Sequence, residues 1–289
     1  MNILDGYYIN LDASIERKDS LVRHLSSLGL EYCYKRFPAL TPSLEEREHL
    51  RGLKTVGELG IWKSFVALLS NIPLNEELPE FVHIIEDDIR LNANFPCIMS
   101  NLLNLICSDT NFKKVDLFFL DYTLNTYLFE MILAQQSANP LGCYQFLDGS
   151  FYLACLSSFL VRRSSIPRIL EHLGGILNSQ SVLLPIDIML RKILRNGYLN
   201  ARLLSPLISA PAWDLAKIST IQDPEEFNVY RSMLAHLLLK ICLSEIDSPS
   251  TCCARLADLF GEAANFPDDL TKSQFFEFFK SLKPQIESF

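Results

Sequence analysis

The chain has no CxxC pair among its eight cysteines, no run approaching the 18 apolar residues of a membrane span, no internal repeat and no low-complexity tract. Each absence excludes something. Without paired cysteines or nearby histidines, a zinc site or a redox motif is not expected. Cys33, Cys97, Cys107, Cys143, Cys155, Cys242, Cys252 and Cys253 then read as reduced thiols, mostly in apolar surroundings. The vicinal Cys252-Cys253 reads as packing. Positive charge is also short: 26 Lys and Arg stand against 34 Asp and Glu, a net charge of −8, which argues against a nucleic-acid partner bound through a basic face. The start, Met1-Asn2-Ile3-Leu4-Asp5, has neither a basic region nor a long apolar stretch, so no secretory signal is expected and a cytoplasmic location is.

What is present suits a sizeable core. The chain has 289 residues, 49% hydrophobic and 21% charged, enough for one large domain or one domain with an appendage. Gly6 to Leu11 (GYYINL) is aromatic and β-branched and predicts a buried strand. Leu21, Val22, Leu25 and Leu28 recur at helical spacing before Gly29, predicting a helix over 14–28. Tyr32 to Phe37 predicts a second strand. Ser43 with Glu46 forms a capping-box pattern, and Gly57 to Ile72 a helix stopped by Pro73. Further strands are expected at 81–85, 115–120 and 198–204, with strand-like pieces around Gly149. Helices are expected at 101–107, 166–173 and from Pro185 to about Asn196. Strands alternating with helices predict an α/β sandwich with a mainly parallel sheet. From Pro224 the pattern is helical only, which predicts a domain over 1–222 and an all-helical C-terminal extension over 223–289.

The most informative feature is Glu86-Asp87-Asp88, directly after the apolar run Phe81-Val82-His83-Ile84-Ile85. A buried strand that delivers clustered carboxylates to its C-terminal end puts hard oxygen ligands where open α/β sheets bind ligands. Adjacent carboxylates repel, so a divalent cation held against a phosphorylated substrate is the expected counter-charge. An arginine lodged among them would stand against that expectation. The alternative is a strand end with solvated acids.

Other pieces accompany it. Ile9-Asn10-Leu11-Asp12 followed by Glu16-Arg17-Lys18 is a strand end and a helix start that can hold an anion, and it reads equally as a capped helix with a wet basic face. Arg36-Phe37-Pro38-Ala39 ends a strand on a small residue that can abut a flat ring. Gly57-Glu58-Leu59-Gly60 permits close backbone approach, with Ser64 one turn on. Pro185-Ile186-Asp187 is ordinary helix-start chemistry. Asp121 follows a strand and could approach a donor, but reads first as a solvated strand end, and His236 reads as a core histidine. Leu234 to Leu243 reads as a buried bundle helix, or else as an oligomer or membrane-surface contact.

Taken in order, INLD…ER (Ile9 to Arg17), RFPA (Arg36 to Ala39), GELG…S (Gly57 to Ser64), HIIEDDIRL (His83 to Leu91), SFLV (Ser158 to Val161) and PID (Pro185 to Asp187) resemble glycosyltransferase family 25. Its bacterial members build lipooligosaccharide. The resemblance covers residues 1 to about 208. It implies a GT-A-like, Rossmann-type nucleotide-binding sandwich and inverting transfer of a hexose from a UDP-sugar donor. The implied acceptor is a hydroxyl on a lipooligosaccharide core, another glycan or a protein, with work at the inner-membrane surface as one setting. It also implies Mn²⁺ or Mg²⁺ on Asp88, with Glu86 facing the metal or ribose. Asn10, Leu11, Asp12, Arg17, Ala39, Glu58, Ser64, Glu86 and Asp87 would line the donor site, and Asp187 would act as general base. Ile61 and Phe65 stand where the family commonly has Cys and His. That departure supports an alternative, a weak or inactive nucleotide-sugar-binding relative that acts through its helical tail.

Overall fold

A computed structural model of the chain describes residues 4–48, 51–123, 144–179, 182–205 and 207–212. The expected helical extension over 223–289, including Leu234 to Leu243, His236 and Cys252-Cys253, lies outside the described residues.

The first unit is strand β1 (Asp5–Asn10), helix α1 (Ile15–Ser27) and strand β2 (Tyr34–Pro38). Gly29 ends α1 with φ of 67°, a left-handed position that costs glycine nothing. Two helices follow, α2 (Leu44–Glu48) and α3 (Val56–Asn71), then β3 (Phe81–Glu86), the short β4 (Ile89–Leu91) and α4 (Phe95–Ser108). The capping box expected before α2 forms: the Ser43 N–H donates to Glu46 Oε2 at 2.7 Å, and the Glu46 N–H to Ser43 Oγ at 3.1 Å. The remaining elements are β5 (Leu117–Phe119), β6 (Gln145–Asp148), β7 (Ser158–Arg162), α5 (Ile166–Ser179), α6 (Ile186–Arg195), β8 (Ala201–Ser205) and β9 (Ser209–Pro211). Helices α4 and α5 run longer than their apolar spacing suggested, and β5 is shorter.

Among the described residues seven strands form one sheet in the order β2-β1-β3-β7-β5-β8-β6, with β4 and β9 paired separately. The sheet is mixed rather than mainly parallel. Pairs β1/β2, β1/β3 and β5/β8 are parallel, while β3/β7, β5/β7 and β6/β8 are antiparallel. The causes are β7, which runs against both of its neighbours, and β6, which runs against β8; periodicity alone cannot orient either strand.

Helices cover both faces, because successive strand residues point to opposite sides. Val82, Ile84, Leu117, Phe119, Phe159 and Val161 pack with Trp62, Phe65 and Leu69 of α3, Ile169 of α5 and Leu190 of α6. Phe81, Ile85, Phe118 and Leu160 pack on the other face, with Leu21 and Leu25 of α1 and with Phe95, Met99 and Leu102 of α4. Burial on both faces explains why β3 reads as a continuous apolar run. His83 is the polar exception in that run, and it is fully buried. Its ring is hydrogen-bonded to Tyr34 Oη at 2.5 Å and Ser158 Oγ at 3.0 Å and stacks on Phe95, and burial pushes its pKa down to about 3. It is therefore a neutral bridge between β2, β3 and β7.

No helix among the described residues is long and apolar enough to cross a membrane.

Candidate functional site

Strand β1 has β2, the next strand in sequence, on one side and β3 on the other. The chain thus reverses its direction of winding at β1. At such a point the connections leave opposite faces of the sheet and open a crevice beyond the carboxyl ends of the strands. The carboxyl ends of β1, β2 and β3 carry Asn10, Pro38-Ala39 and Glu86 respectively. Antiparallel β7 brings its amino end, Ser157-Ser158, to the same edge: the Glu86 N–H donates to the Ser157 carbonyl at 2.9 Å.

A polar network runs along this edge. Arg36 donates through Nη2 to Asp12 Oδ1 at 2.5 Å and through Nε to Asn10 Oδ1 at 2.9 Å. Asn10 Nδ2 donates to Asp87 Oδ2 at 2.6 Å and to the Ser14 carbonyl at 3.1 Å. Arg17, in the first turn of α1, places one nitrogen, Nη2, 2.5 Å from Asp87 Oδ1 and 2.6 Å from Asp88 Oδ2. Ala39 closes the parallel ladder, its N–H donating to the Asn10 carbonyl at 3.0 Å, and Leu11 is partly exposed beside it. Of the residues singled out in the sequence, Asn10, Asp12, Arg17, Ala39, Glu86, Asp87 and Asp88 are thus brought to one edge.

The charges here do not balance. Burial, and then the charge of Asp88, pushes the Glu86 carboxyl up to about 8 even though Arg17 opposes the shift. Asp87 is also raised, first by burial, with Arg17 and the Asn10 hydrogen bond pulling the other way. Asp88 Oδ1 and Arg17 Nε are buried without a hydrogen-bond partner among the described residues. Groups of this kind cluster at functional sites more often than in structural cores.

Three residues join the site that the sequence did not single out, and one was misread there. Asp121, read as a solvated strand end, is 2% exposed. It accepts hydrogen bonds from Ser157 Oγ and from Cys155 Sγ, the latter at 3.1 Å, and burial raises its pKa to about 6. Cys155 holds φ of 85°, a left-handed conformation unusual for a side chain with a Cβ. Tyr152 donates to the Cys155 carbonyl at 3.0 Å. Burial raises its hydroxyl pKa well above the usual value, and Asp187, Asp121 and Glu86 add to the shift. A strand ending in Asp, together with the Cys-x-Ser spacing, was the available signal. What hid it was the fold of the 149–157 segment.

Asp187 sits in the first turn of α6, where its Oδ1 accepts the Ile188 N–H at 2.7 Å. Its charge reaches the same Tyr152 hydroxyl as those of Asp121 and Glu86.

Glu58 and Ser64 depart from the expectation of donor-pocket residues. Glu58 completes the capping box of α3, accepting the Lys54 and Thr55 N–H groups at 2.5 and 3.2 Å. Ser64 is buried, and its Oγ accepts the Leu40 N–H at 2.8 Å. Gly60 lies so near this segment that an added Cβ would meet the Leu40 carbonyl oxygen at 3.0 Å. The GELG…S motif therefore secures the loop after β2. Phe65 is a core residue, its ring centroid 5.6 Å from that of Phe159.

A divalent cation can be tested against these residues. Among the described residues no three His, Cys, Asp or Glu side chains form a ready-made cage. Carboxylate oxygens are nonetheless the donor type that Mg²⁺ and Mn²⁺ prefer, and Mg²⁺ in phosphate-handling sites is held by one or two carboxylates plus phosphate oxygens. Arg17, lodged between Asp87 and Asp88, stands against the expected cation, whereas Asp88 Oδ1, which has no hydrogen-bond partner among the described residues, leaves one carboxylate oxygen of that smaller donor set open. Comparison with protein-family models and with curated proteins gives no match for this chain.

Proposed function

We propose that the chain is an inverting glycosyltransferase that moves a hexose, galactose or glucose, from a UDP-sugar to an acceptor hydroxyl. The observation that carries the reading is convergence. Asn10, Arg17 and the acidic triplet, up to 78 residues apart in sequence, meet at the crevice of the topological switch point, where they leave a carboxylate oxygen without a partner among the described residues.

In this reading Asp88 and Glu86 hold the cation, which would stabilise the departing diphosphate by charge. Asn10 keeps Asp87 in register, and Arg17 offers guanidinium donors to the phosphates. Ala39 and Leu11 leave room for the nucleoside. Asp187 takes the proton of the attacking hydroxyl, on the side of the site marked by Tyr152. The acceptor is a glycolipid core sugar, another glycan or a protein.

The test is a UDP-release screen over UDP-galactose, UDP-glucose and UDP-N-acetylhexosamines, with Mn²⁺, with Mg²⁺ and with EDTA. Metal-dependent release from one hexose donor is expected. Absence of release from every donor, with no UDP binding by calorimetry, removes the reading.

Two observations favour a second reading. Arg17 already pairs with Asp87 and Asp88, and Phe65 fills core space where a polar ligand would stand. A binding protein that holds a nucleotide-sugar without turnover is consistent with both. Tight UDP binding with no donor hydrolysis identifies it.

A further inference from the structure

We infer that Arg17 is a displaceable counter-ion, so that a divalent cation and a nucleotide diphosphate bind the acidic edge as a coupled pair and each binds weakly alone. The inference rests on the donor-site reading above and adds how that site is controlled.

The geometry of one nitrogen carries it. Arg17 Nη2 lies 2.5 Å from Asp87 Oδ1 and 2.6 Å from Asp88 Oδ2, so it occupies the Asp88 carboxylate that the cation would need. Arg163, a structural arginine of this fold, differs. Its Nε reaches the Pro79 carbonyl at 2.9 Å, Nη1 the Pro73 carbonyl at 2.5 Å and Nη2 Asp5 Oδ2 at 2.7 Å. Arg17 is buried as well, 8% exposed, yet among the described residues its Nε has no partner, and neither does Asp88 Oδ1. A buried guanidinium N–H without an acceptor is set for an anion, and a buried carboxylate oxygen without a donor is set for a cation.

Moving Arg17 aside for a cation alone would leave two positive charges together in a buried site. A diphosphate arriving alone would meet three carboxylates opposed by one arginine. When both arrive, the phosphate oxygens replace the acceptors that Arg17 gives up, and the cation replaces Arg17 on Asp88. Asp87 keeps its place throughout, because Asn10 holds its other oxygen at 2.6 Å.

The test measures binding to the full chain by calorimetry, with Mn²⁺, UDP and both as probes. In the wild type, saturating UDP is expected to tighten Mn²⁺ binding at least tenfold. In Arg17→Gln, Mn²⁺ alone is expected to bind at least tenfold more tightly than to the wild type, with the UDP enhancement largely lost. The thermal midpoint of this variant should fall without metal and recover with Mn²⁺. A variant whose Mn²⁺ affinity is unchanged or weaker, and whose midpoint Mn²⁺ does not restore, overturns the inference and leaves Arg17 a structural ion pair. Asp88→Asn separates the two failures. If no Mn²⁺ binding depends on Asp88 with or without UDP, the donor-site reading itself is lost. If Asp88-dependent binding with UDP persists, only the displacement is.

Should Arg17→Gln not fold, the wild-type side chain reports directly through the Arg17 Nε–H resonance in nitrogen-15 spectra. A shift with slowed exchange only when Mg²⁺ and UDP are both present supports displacement. No change with both present overturns it.

Discussion

The two ends of the one sheet carry buried acids, and they treat them in opposite ways. At the amino end, Asp5 has Oδ1 on Lys35 at 3.2 Å and Oδ2 on Arg163 at 2.7 Å. Asp116 accepts from Ser165 at 2.6 Å and from Arg168 through one oxygen, and from the Asn200 N–H at 2.8 Å through the other. Every carboxylate oxygen of these two residues is matched. At the carboxyl end, Asp87 and Asp88 share one bridging arginine, Asp88 Oδ1 has no hydrogen-bond partner among the described residues, and burial raises Glu86 and Asp121 to about 8 and about 6. A cluster that holds the fold together satisfies its own hydrogen bonds, whereas a cluster that awaits a ligand leaves some unmade.

The contrast can be broken most sharply at Asp88. Asp88→Ala is expected to lower metal-dependent transfer about 10³-fold, since loss of charge stabilisation at the leaving group is worth several kcal/mol. Urea unfolding should show stability within about 1 kcal/mol of wild type, because Arg17 keeps Asp87. Full, EDTA-insensitive turnover in that variant would falsify the metal assignment.

At the opposite end the effect should appear in stability instead. Arg163→Met strands the buried Asp5 and the Pro73 and Pro79 carbonyls, and a cost of about 3–5 kcal/mol is expected by the same unfolding measurement. A loss below about 1 kcal/mol would erase the distinction between the two ends.

Asp121 sharpens the comparison through pH. Its folded pKa of about 6 lies above the ordinary 3.8, so the folded state keeps this proton to higher pH than the unfolded state does. Stability from this group therefore falls as pH rises between about 4 and 6, by on the order of 3 kcal/mol, and stays reduced above that window. Asp121→Asn should flatten the profile across that range. A wild-type curve that rises there while the variant's does not would reverse the sign and refute the burial argument.

The smallest effect concerns Glu58. Glu58→Ala should cost about 1 kcal/mol through the lost cap of α3 and leave UDP affinity unchanged. A tenfold loss of UDP affinity would return Glu58 to the donor pocket.

Much of this was legible in the residues themselves. The 3.6-residue spacing of Leu21, Leu25 and Leu28, the Gly29 stop, the Ser43–Glu46 box and the unbroken apolar run of β3 are local signals, because caps and periodic burial act over a turn or two. The carboxylates at the end of β3 were legible for the same reason. The mixed sheet was not, since the direction of β7 depends on which strands it lies between. Nor was the role of Ser64, whose partner is the Leu40 N–H 24 residues away, whereas Thr55-x-x-Glu58 carries the same local box pattern as Ser43–Glu46.

The sequence by itself determined which segments are buried on both faces and that acids terminate the central strand, because both follow from side-chain chemistry read along a few residues. Only the tertiary structure decided that Arg17 lies among those acids and that Asp121, Ser157 and Cys155 stand behind them. Those pairings join residues 34 to 71 positions apart, and their energies come from distances and burial that the chain acquires only when α1, β3, β5 and β7 pack together.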